Sequence, residues 1–427
     1  MDKILQSSRK VLHTQTHLTS KQKSSVSLLL VGTCLEYFDL MLYIHLAILL
    51  NDLFFPKTDP QAASLLAALT FCLTYIFRPV GALIFGYIGD HIGYKTTIVI
   101  TTFMMATSCF TIAVLPTYEQ IGIISTWVII ICRIIQGVSS VGEIIGSELY
   151  LNELTKPPIQ YPVISLVSIS TIIGGVVALG ISSLSTSFGF SWRMAFWIGT
   201  IIAVIGIIAR THLKETASLI KKKALLTNSI QPTRANIKTM LAYFFIQCGW
   251  PICFYFAYIH CSNILKNSYG YTAVSVIHHN FILSVITLGG YLIFVYLSYK
   301  VYPLLILKIR LAIFCIFVIS CPWLLDHYNT PSAILMIQLI TVVFGCYTMP
   351  ADAIFFRHIP IFKRCTHVSL SFTLSRTLMH LIAAFGLVHL IKYFGNYGLL
   401  FLMIPISLGF TFGIYHFEKL EKQAGYY

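Results

Sequence analysis

Two carboxylates three residues apart, Glu36 and Asp39, stand inside the apolar run GTCLEYFDLMLY. At i and i+3 on a helix they share one face. Two close carboxylates cannot both ionise cheaply, which is the property needed at a site that takes up and releases a proton. The plainer reading is a carboxylate held by a base on another helix for packing alone. Arg133 offers that base: it opens RIIQGVSSVGE, with Gln136 and Gly137 on the same face. All of these lie in runs apolar enough for lipid, where an ionisable side chain is costly unless paired or hydrated and is therefore a functional candidate.

Depth follows from a helical rise of about 1.5 Å per residue. Entering from one face near residue 26, Glu36 and Asp39 sit roughly 15–20 Å in, and Arg133, entering from the other face near residue 121, roughly 18 Å in. In a hydrocarbon core about 30 Å thick these levels match near the midplane. Glu143 lies ten residues beyond Arg133, about 15 Å away along the helix, and belongs to another layer. Arg376, in SLSFTLSRTLMHL with His380 at i+4, is a second cation near the middle. Arg78, just before Pro79, reads as a gate-side residue in the inner third of its helix, snorkelling or pairing there. Asp352, after Pro350, reads as a gate or packing group. Tyr37, Tyr43, Gln136, Gln247 and Trp250 join Arg133 and Arg376 as candidates to line a solute cavity, the aromatics also reading as ordinary packing.

The elements that must position these groups are helices. Of 427 residues 57% are hydrophobic and 10% charged, against about 25% charged in soluble proteins, and mean hydropathy is +0.80. Eleven scattered cysteines without a Cys-x-x-Cys pair read as small core residues, and no metal-ligand spacing is present. Twelve runs are long enough to span: 26–50, 62–88, 96–115, 121–147, 161–184, 193–211, 239–261, 273–298, 303–324, 331–355, 367–391 and 397–417. The expected fold is all-α and membrane-integral, in two six-helix bundles, 26–211 and 239–417, with a basic tail at 1–25, a central loop at 212–238 and a short tail at 418–427. With both ends cytoplasmic, 22 of the 29 Lys and Arg are assigned to inner loops and tails, counting Arg210 with the central loop and Lys308 and Arg310 with the loop before the ninth run; Lys57, Arg193, Lys266 and Lys392 are assigned to the outer side with its helix ends, and Arg78, Arg133 and Arg376 to membrane depth. The net charge of +14 therefore reads as loop bias and not as a nucleic-acid surface.

Between the second and third runs the sequence reads FRPVGALIFGYIGDHIGYK. Gly86, Asp90, Gly93 and Lys95 are spaced as in the loop between helices two and three of major facilitator transporters, with Tyr94 where a base is usual. The glycines permit close backbone approach and positive φ, and Asp90 can accept from a helix N-terminus or an arginine. Together with Arg78 they form the expected gate. Its repeat in the second half falls at SYKVYPL, where Tyr299 and Tyr302 replace the acid and the second glycine.

The resemblance narrows further. GTCLEYFDLMLY is similar to the G-x-x-x-E-W-F-D-F-x-x-Y segment of the metabolite:proton symporters, which include bacterial proline/betaine transporters, and RIIQGVSSVGE to their R-x-x-Q-G-x-x-x-G-G-E, with Val141 for the first glycine of the pair. LPTYEQIG, SWRMAFWIG and RTHLKET extend it over the first half; IPIFKRCTHVSLSF resembles a second-half segment, with Pro360 and Arg364 matching but Arg357 and His367 departing. The resemblance implies a proton-driven, alternating-access symporter of the bacterial inner membrane, working as a monomer, with Glu36, Asp39, Arg133 and Glu143 serving the proton, and a compatible solute or an organic acid as substrate. The proton is the coupling ion and no cofactor is expected. Osmosensing members carry a C-terminal coiled coil; with only 418–427 past the twelfth run, sensing through such a tail is not expected. Two readings stand beside symport: a receptor that keeps the fold and binds solute without flux, and a facilitator for another solute class. A membrane enzyme lacks support, since no nucleophile elbow or phosphate loop is present.

Overall fold

The structure, a computed structural model, describes residues 15–56, 74–188, 191–211, 236–328 and 330–426. Most of the expected central loop, residues 212–235, lies outside them, as do residues 1–14 of the first tail and 62–73 of the second run. In lipid a spanning segment must satisfy its own backbone, and long apolar runs do so as helices. The first half comprises α1 (Ser20–Phe54), α2 (Arg78–His91), α3 (Tyr94–Val114), α4 (Ile123–Leu154), α5 (Gln160–Phe188) and α6 (Trp192–Thr211). The second comprises α7 (Ile237–Tyr269), α8 (Ala273–Lys300), α9 (Pro303–His327), α10 (Pro331–Phe344), α11 (Arg364–Leu381) and α12 (Leu400–Ala424). Nine helical stretches among the described residues are long and apolar enough to cross a membrane. Their outer faces carry large apolar side chains such as Ile316, Ile319, Phe401 and Leu408, as a lipid-facing surface requires.

Within the first half α1 packs on α5 and α6, and α3 on α4 and α6; in the second α7 packs on α11 and α12, and α9 on α10 and α12. The halves meet along α2 with α11 and along α5 with α8. The first and last described residues gather at one face, called here the terminal face. There Gln15 N donates to Pro157 O at 2.9 Å, Lys95 Nζ to Thr211 O at 2.8 Å, and Glu421 of α12 meets Tyr302, Arg357 and His358.

Two helices depart from regularity beside the cavity described below. Helix α7 widens into a π-helical turn over Tyr255–His260, a feature frequent at functional sites. The tenth run, expected as one helix over 331–355, is broken: α10 ends at Phe344, and a short helix resumes at Asp352–Arg357. Gly345 and Pro350 flank the break, and proline donates no backbone hydrogen bond. Arg310 of α9 replaces the missing ladder, donating to the carbonyls of Val343 (3.1 Å), Gly345 (3.1 Å) and Met349 (2.5 Å). Arg310 is 2% exposed. The expected place for it in a basic loop is therefore corrected: it serves backbone that bilayer depth leaves without water.

Candidate functional site

A polar core runs through the first half. Asp39 of α1 accepts from Gln136 Nε2 of α4 at 2.6 Å and from Cys109 Sγ of α3 at 2.5 Å. Gln136 in turn accepts from Arg133 Nη1 at 2.8 Å, and the guanidinium lies 3.8 Å from the centroid of the Tyr43 ring. The carboxylate and the cation are therefore joined through an amide. About one turn along α1, Glu36 is buried with neither oxygen hydrogen-bonded to protein. One turn of α4 separates Gln136 from Ser139 and two from Glu143, which brings Glu36, Asp39, Ser139 and Glu143 around one small cavity with Thr102. Glu143 is held by Arg210 of α6, whose two terminal nitrogens meet its two oxygens, and by the Thr102 hydroxyl at 2.9 Å. Gly32 of α1 leaves the room: a Cβ there would lie 1.3 Å from Arg210 Nη2.

A second, larger cavity of about 230 Å³ lies between the halves. Its walls include Tyr37 of α1, Thr171 of α5, Trp250 and Tyr258 of α7, Asn280 and Ser284 of α8, and Tyr347 from the break after α10. Among the described residues the one charged member of its lining is Arg376 of α11, whose guanidinium carbon lies 4.4 Å from the Trp250 ring centroid and 4.1 Å from that of Phe372. Arrangements of this kind, apolar and aromatic with few polar anchors, are what small-solute sites use.

On the terminal side the halves are shut. Asp90, at the end of α2, accepts from the backbone N–H of Cys365 (3.0 Å) and Thr366 (2.9 Å) and from the Thr366 hydroxyl (2.8 Å), all in the first turn of α11. Those amides have no partner within their own helix, and the positive end of the helix dipole favours the anion. Gly86 lets the backbones close: a Cβ there would stand 2.7 Å from Thr366 Cα. Gly93, at φ 132°, makes the turn into α3. Nearby Glu153 of α4 faces Arg364 of α11 at 4.0 Å, and Arg357 Nη2 reaches the Tyr161 hydroxyl of α5 at 3.4 Å.

The model of the Major Facilitator Superfamily matches residues 29–384. The chain belongs to that superfamily. A proton:xylose symporter of the superfamily superposes with a TM-score of 0.74 at 14% identity, covering 94% of this chain and 96% of that one, a likeness of fold. In sequence the chain is 32% identical over 203 residues to the proline/betaine transporter of Escherichia coli, covering 46% of this chain and 41% of that protein. It is also 32% identical over 209 residues to an inner membrane metabolite transport protein of the same organism, covering 47% of each. The matched stretch thus spans less than half the length of these relatives. Fold and relatives alike are those of major facilitator transporters and not of enzymes.

Within this major facilitator frame the expected residues separate into layers. Tyr37, Trp250 and Arg376 line the cavity between the halves. Tyr43, Arg133 and Gln136 lie behind its wall in the polar core, and Gln247 donates to the Tyr243 hydroxyl at 3.0 Å. Glu36, Asp39 and Glu143 share the smaller cavity. Gly86, Asp90 and Gly93 are together at the latch, and Lys95 reaches the end of α6 instead. Arg78 is corrected: twelve residues from Asp90, it sits roughly 18 Å up α2, buried, with its guanidinium carbon 4.5 Å from the Tyr75 ring centroid. Arg210 is corrected too. Taken from its position as the start of the central loop, it is fully buried and forms the ion pair of the polar core. Its signal was the buried acid itself, since Glu143 at membrane depth requires a cation. Where the second-half latch was expected, Tyr302 bonds Glu421 of α12, which also accepts from His358 at 2.6 Å and Arg357 at 3.1 Å.

Proposed function

We propose that the chain is a secondary active transporter of the bacterial inner membrane, carrying a small polar metabolite together with a proton by alternating access. The observation that carries this reading is the cavity between the halves, with Arg376 as the one charged residue among its described lining and a closed latch on the terminal side beneath it. A lone guanidinium among aromatic rings suits a substrate carboxylate. A zwitterion would also place its ammonium group against Trp250, Phe254 or Tyr258. Proline- or betaine-type osmolytes and organic acids both meet these demands. The terminal face is assigned to the cytoplasm, as the Lys and Arg bias supports, so the described state is closed on the cytoplasmic side. The chain acts as a monomer, and the reading needs the proton but no cofactor.

The polar core supplies the proton site. An ionised Asp39 accepts from both Gln136 and Cys109. A proton on it removes one of those acceptors, frees Gln136 and loosens its hold on Arg133 between α1 and α4. Glu36, unpaired in the same small cavity, is the second acceptor for that proton. Proteoliposomes under an imposed pH gradient test the reading with labelled proline, glycine betaine, α-ketoglutarate and citrate. The expected result is accumulation of one of them above its external concentration, abolished by a protonophore. Uptake indifferent to the gradient overturns the proton coupling, and binding without flux overturns transport in favour of a solute receptor.

A further inference from the structure

The cavity between the halves has a second polar end, away from Arg376. Helix α8 presents Asn280, Ser284 and Thr287 at i, i+4 and i+7, one face of the helix, and all three line the cavity. Tyr258 of α7 meets them there: its hydroxyl shares a hydrogen bond with Ser284 Oγ at 3.1 Å. Ser284 and Thr287 are 6% and 2% exposed, and the Thr287 hydroxyl, turned toward the same phenol, is left without a well-formed hydrogen bond. The rings of Trp250, Phe254 and Tyr258 stack in turn, with centroids 4.9 Å and 5.0 Å apart, and carry the wall from one end to the other. Arg376 lies against the first of these rings and the hydroxyls against the third. Eight residues of α7 separate the two ends, roughly 12 Å.

Tyr258 sits within the π-helical turn over Tyr255–His260. Such a widened turn shifts the backbone ladder, so its carbonyls must find other donors. The Ala257 carbonyl accepts from Gln338 Nε2 of α10 at 2.6 Å and the Tyr258 carbonyl from Ser262 Oγ at 2.6 Å, while Asn280 Nδ2 donates to that Ser262 oxygen at 3.1 Å. Side chains of α8 and α10 thus hold an irregular backbone, and that backbone holds the phenol at the far end of the cavity. Among the described lining residues this end carries hydroxyl and amide groups and no charge. A solute hydroxyl or carbonyl taken from water into an apolar wall loses its hydrogen bonds at a cost; here it regains them. We infer that Tyr258, Ser284 and Thr287 form a second binding end that reads an oxygen-bearing group of the solute, a hydroxyl, carbonyl or carboxylate, several bonds away from the carboxylate held by Arg376. The inference rests on the transport reading and deepens it: the solute is an extended organic acid, polar at both ends. Proline and glycine betaine, whose single carboxylate sits next to the nitrogen, reach Arg376 but leave the hydroxyl end without a partner.

The test measures equilibrium binding to the whole chain in lipid nanodiscs, without a gradient, using two acids that differ in one group, ω-hydroxyvalerate and valerate. An apolar wall alone favours valerate. The hydroxyl end reverses that order and is expected to favour ω-hydroxyvalerate by about tenfold, the effect of one ordinary hydrogen bond. Tyr258→Phe and Ser284→Ala should each remove most of this preference and leave the affinity for valerate unchanged, which also shows that the variants fold. Displacing bound ω-hydroxyvalerate should take far more glycine betaine than α-ketoglutarate. The inference is overturned by valerate binding as well as ω-hydroxyvalerate or better, by a preference unchanged in both variants, by glycine betaine competing as well as α-ketoglutarate, or by no binding of either acid. None of these readings involves flux, so failure of gradient-driven uptake in proteoliposomes, which would overturn the proton coupling, leaves them intact.

Discussion

Arg210 of α6 meets both oxygens of Glu143 of α4 with its two terminal guanidinium nitrogens, and both side chains are buried. Removing one member of such a pair leaves a charge stranded at membrane depth, a loss of about 3–5 kcal/mol. Arg210→Met is therefore expected to lower the thermal unfolding midpoint and the yield of folded protein. Glu143→Gln combined with Arg210→Met should recover most of that loss, because no charge remains uncompensated. A double variant as unstable as the worse single one would assign Glu143 an obligatory role beyond pairing.

Asp90 joins the halves through three hydrogen bonds to the first turn of α11. A bond to a charged group contributes about 1.5–3 kcal/mol, so Asp90→Ala is expected to shift the population away from the closed terminal face by more than a factor of ten. Gly86→Ala should act in the same direction by sterics alone, since its Cβ would stand 2.7 Å from Thr366 Cα. Labelling rates at a reporter introduced on the terminal end of α5 measure both.

Arg376 is the charged anchor of the cavity wall. Loss of one charge-assisted contact to a substrate carboxylate, about 1.5–3 kcal/mol, predicts a fall in apparent affinity of roughly 10- to 100-fold for Arg376→Ala. Arg376→Lys should recover only part of it, because an ammonium does not reproduce the planar fork. The dependence of initial uptake rate on solute concentration checks both variants.

Asp39→Asn keeps the shape of the polar core and removes its ionisable group between Gln136 and Cys109. Solute exchange across the membrane should persist, while accumulation driven by an imposed pH gradient is lost. Cys109→Ser, which keeps a donor to Asp39, should remain coupled. Full coupling in Asp39→Asn together with Glu36→Gln would falsify the assignment of the proton to this core.

Much of the fold was legible because hydropathy and helix length are one-dimensional quantities: the twelve runs, the two halves and the latch of Gly86, Asp90 and Gly93 all follow from residues near one another in sequence. Arg210 and Arg310 were not legible, because a base near the end of an apolar run reads as loop until the helix face it occupies is known. The split of α10 had its markers in Gly345 and Pro350, but an averaged apolar run conceals a local change of backbone angle. Matching depths placed Arg133 with Glu36 and Asp39, yet depth says nothing of direction around a helix axis. Only the packing reveals that Gln136 stands between Arg133 and Asp39, and that Arg376, not Arg133, lines the opening between the halves.

The interruption after α10 makes that helix two rods on a shared fulcrum. The upper rod contributes Val342 to the wall of the cavity, Tyr347 of the intervening stretch reaches the same wall, and the lower rod begins at Asp352. Arg310 grips the stretch between them by its carbonyls. Tyr347 at the cavity wall and Asp352 at the start of the short helix therefore lie on one stretch of backbone that can bend between the two rods. An uninterrupted helix would have to move whole or not at all.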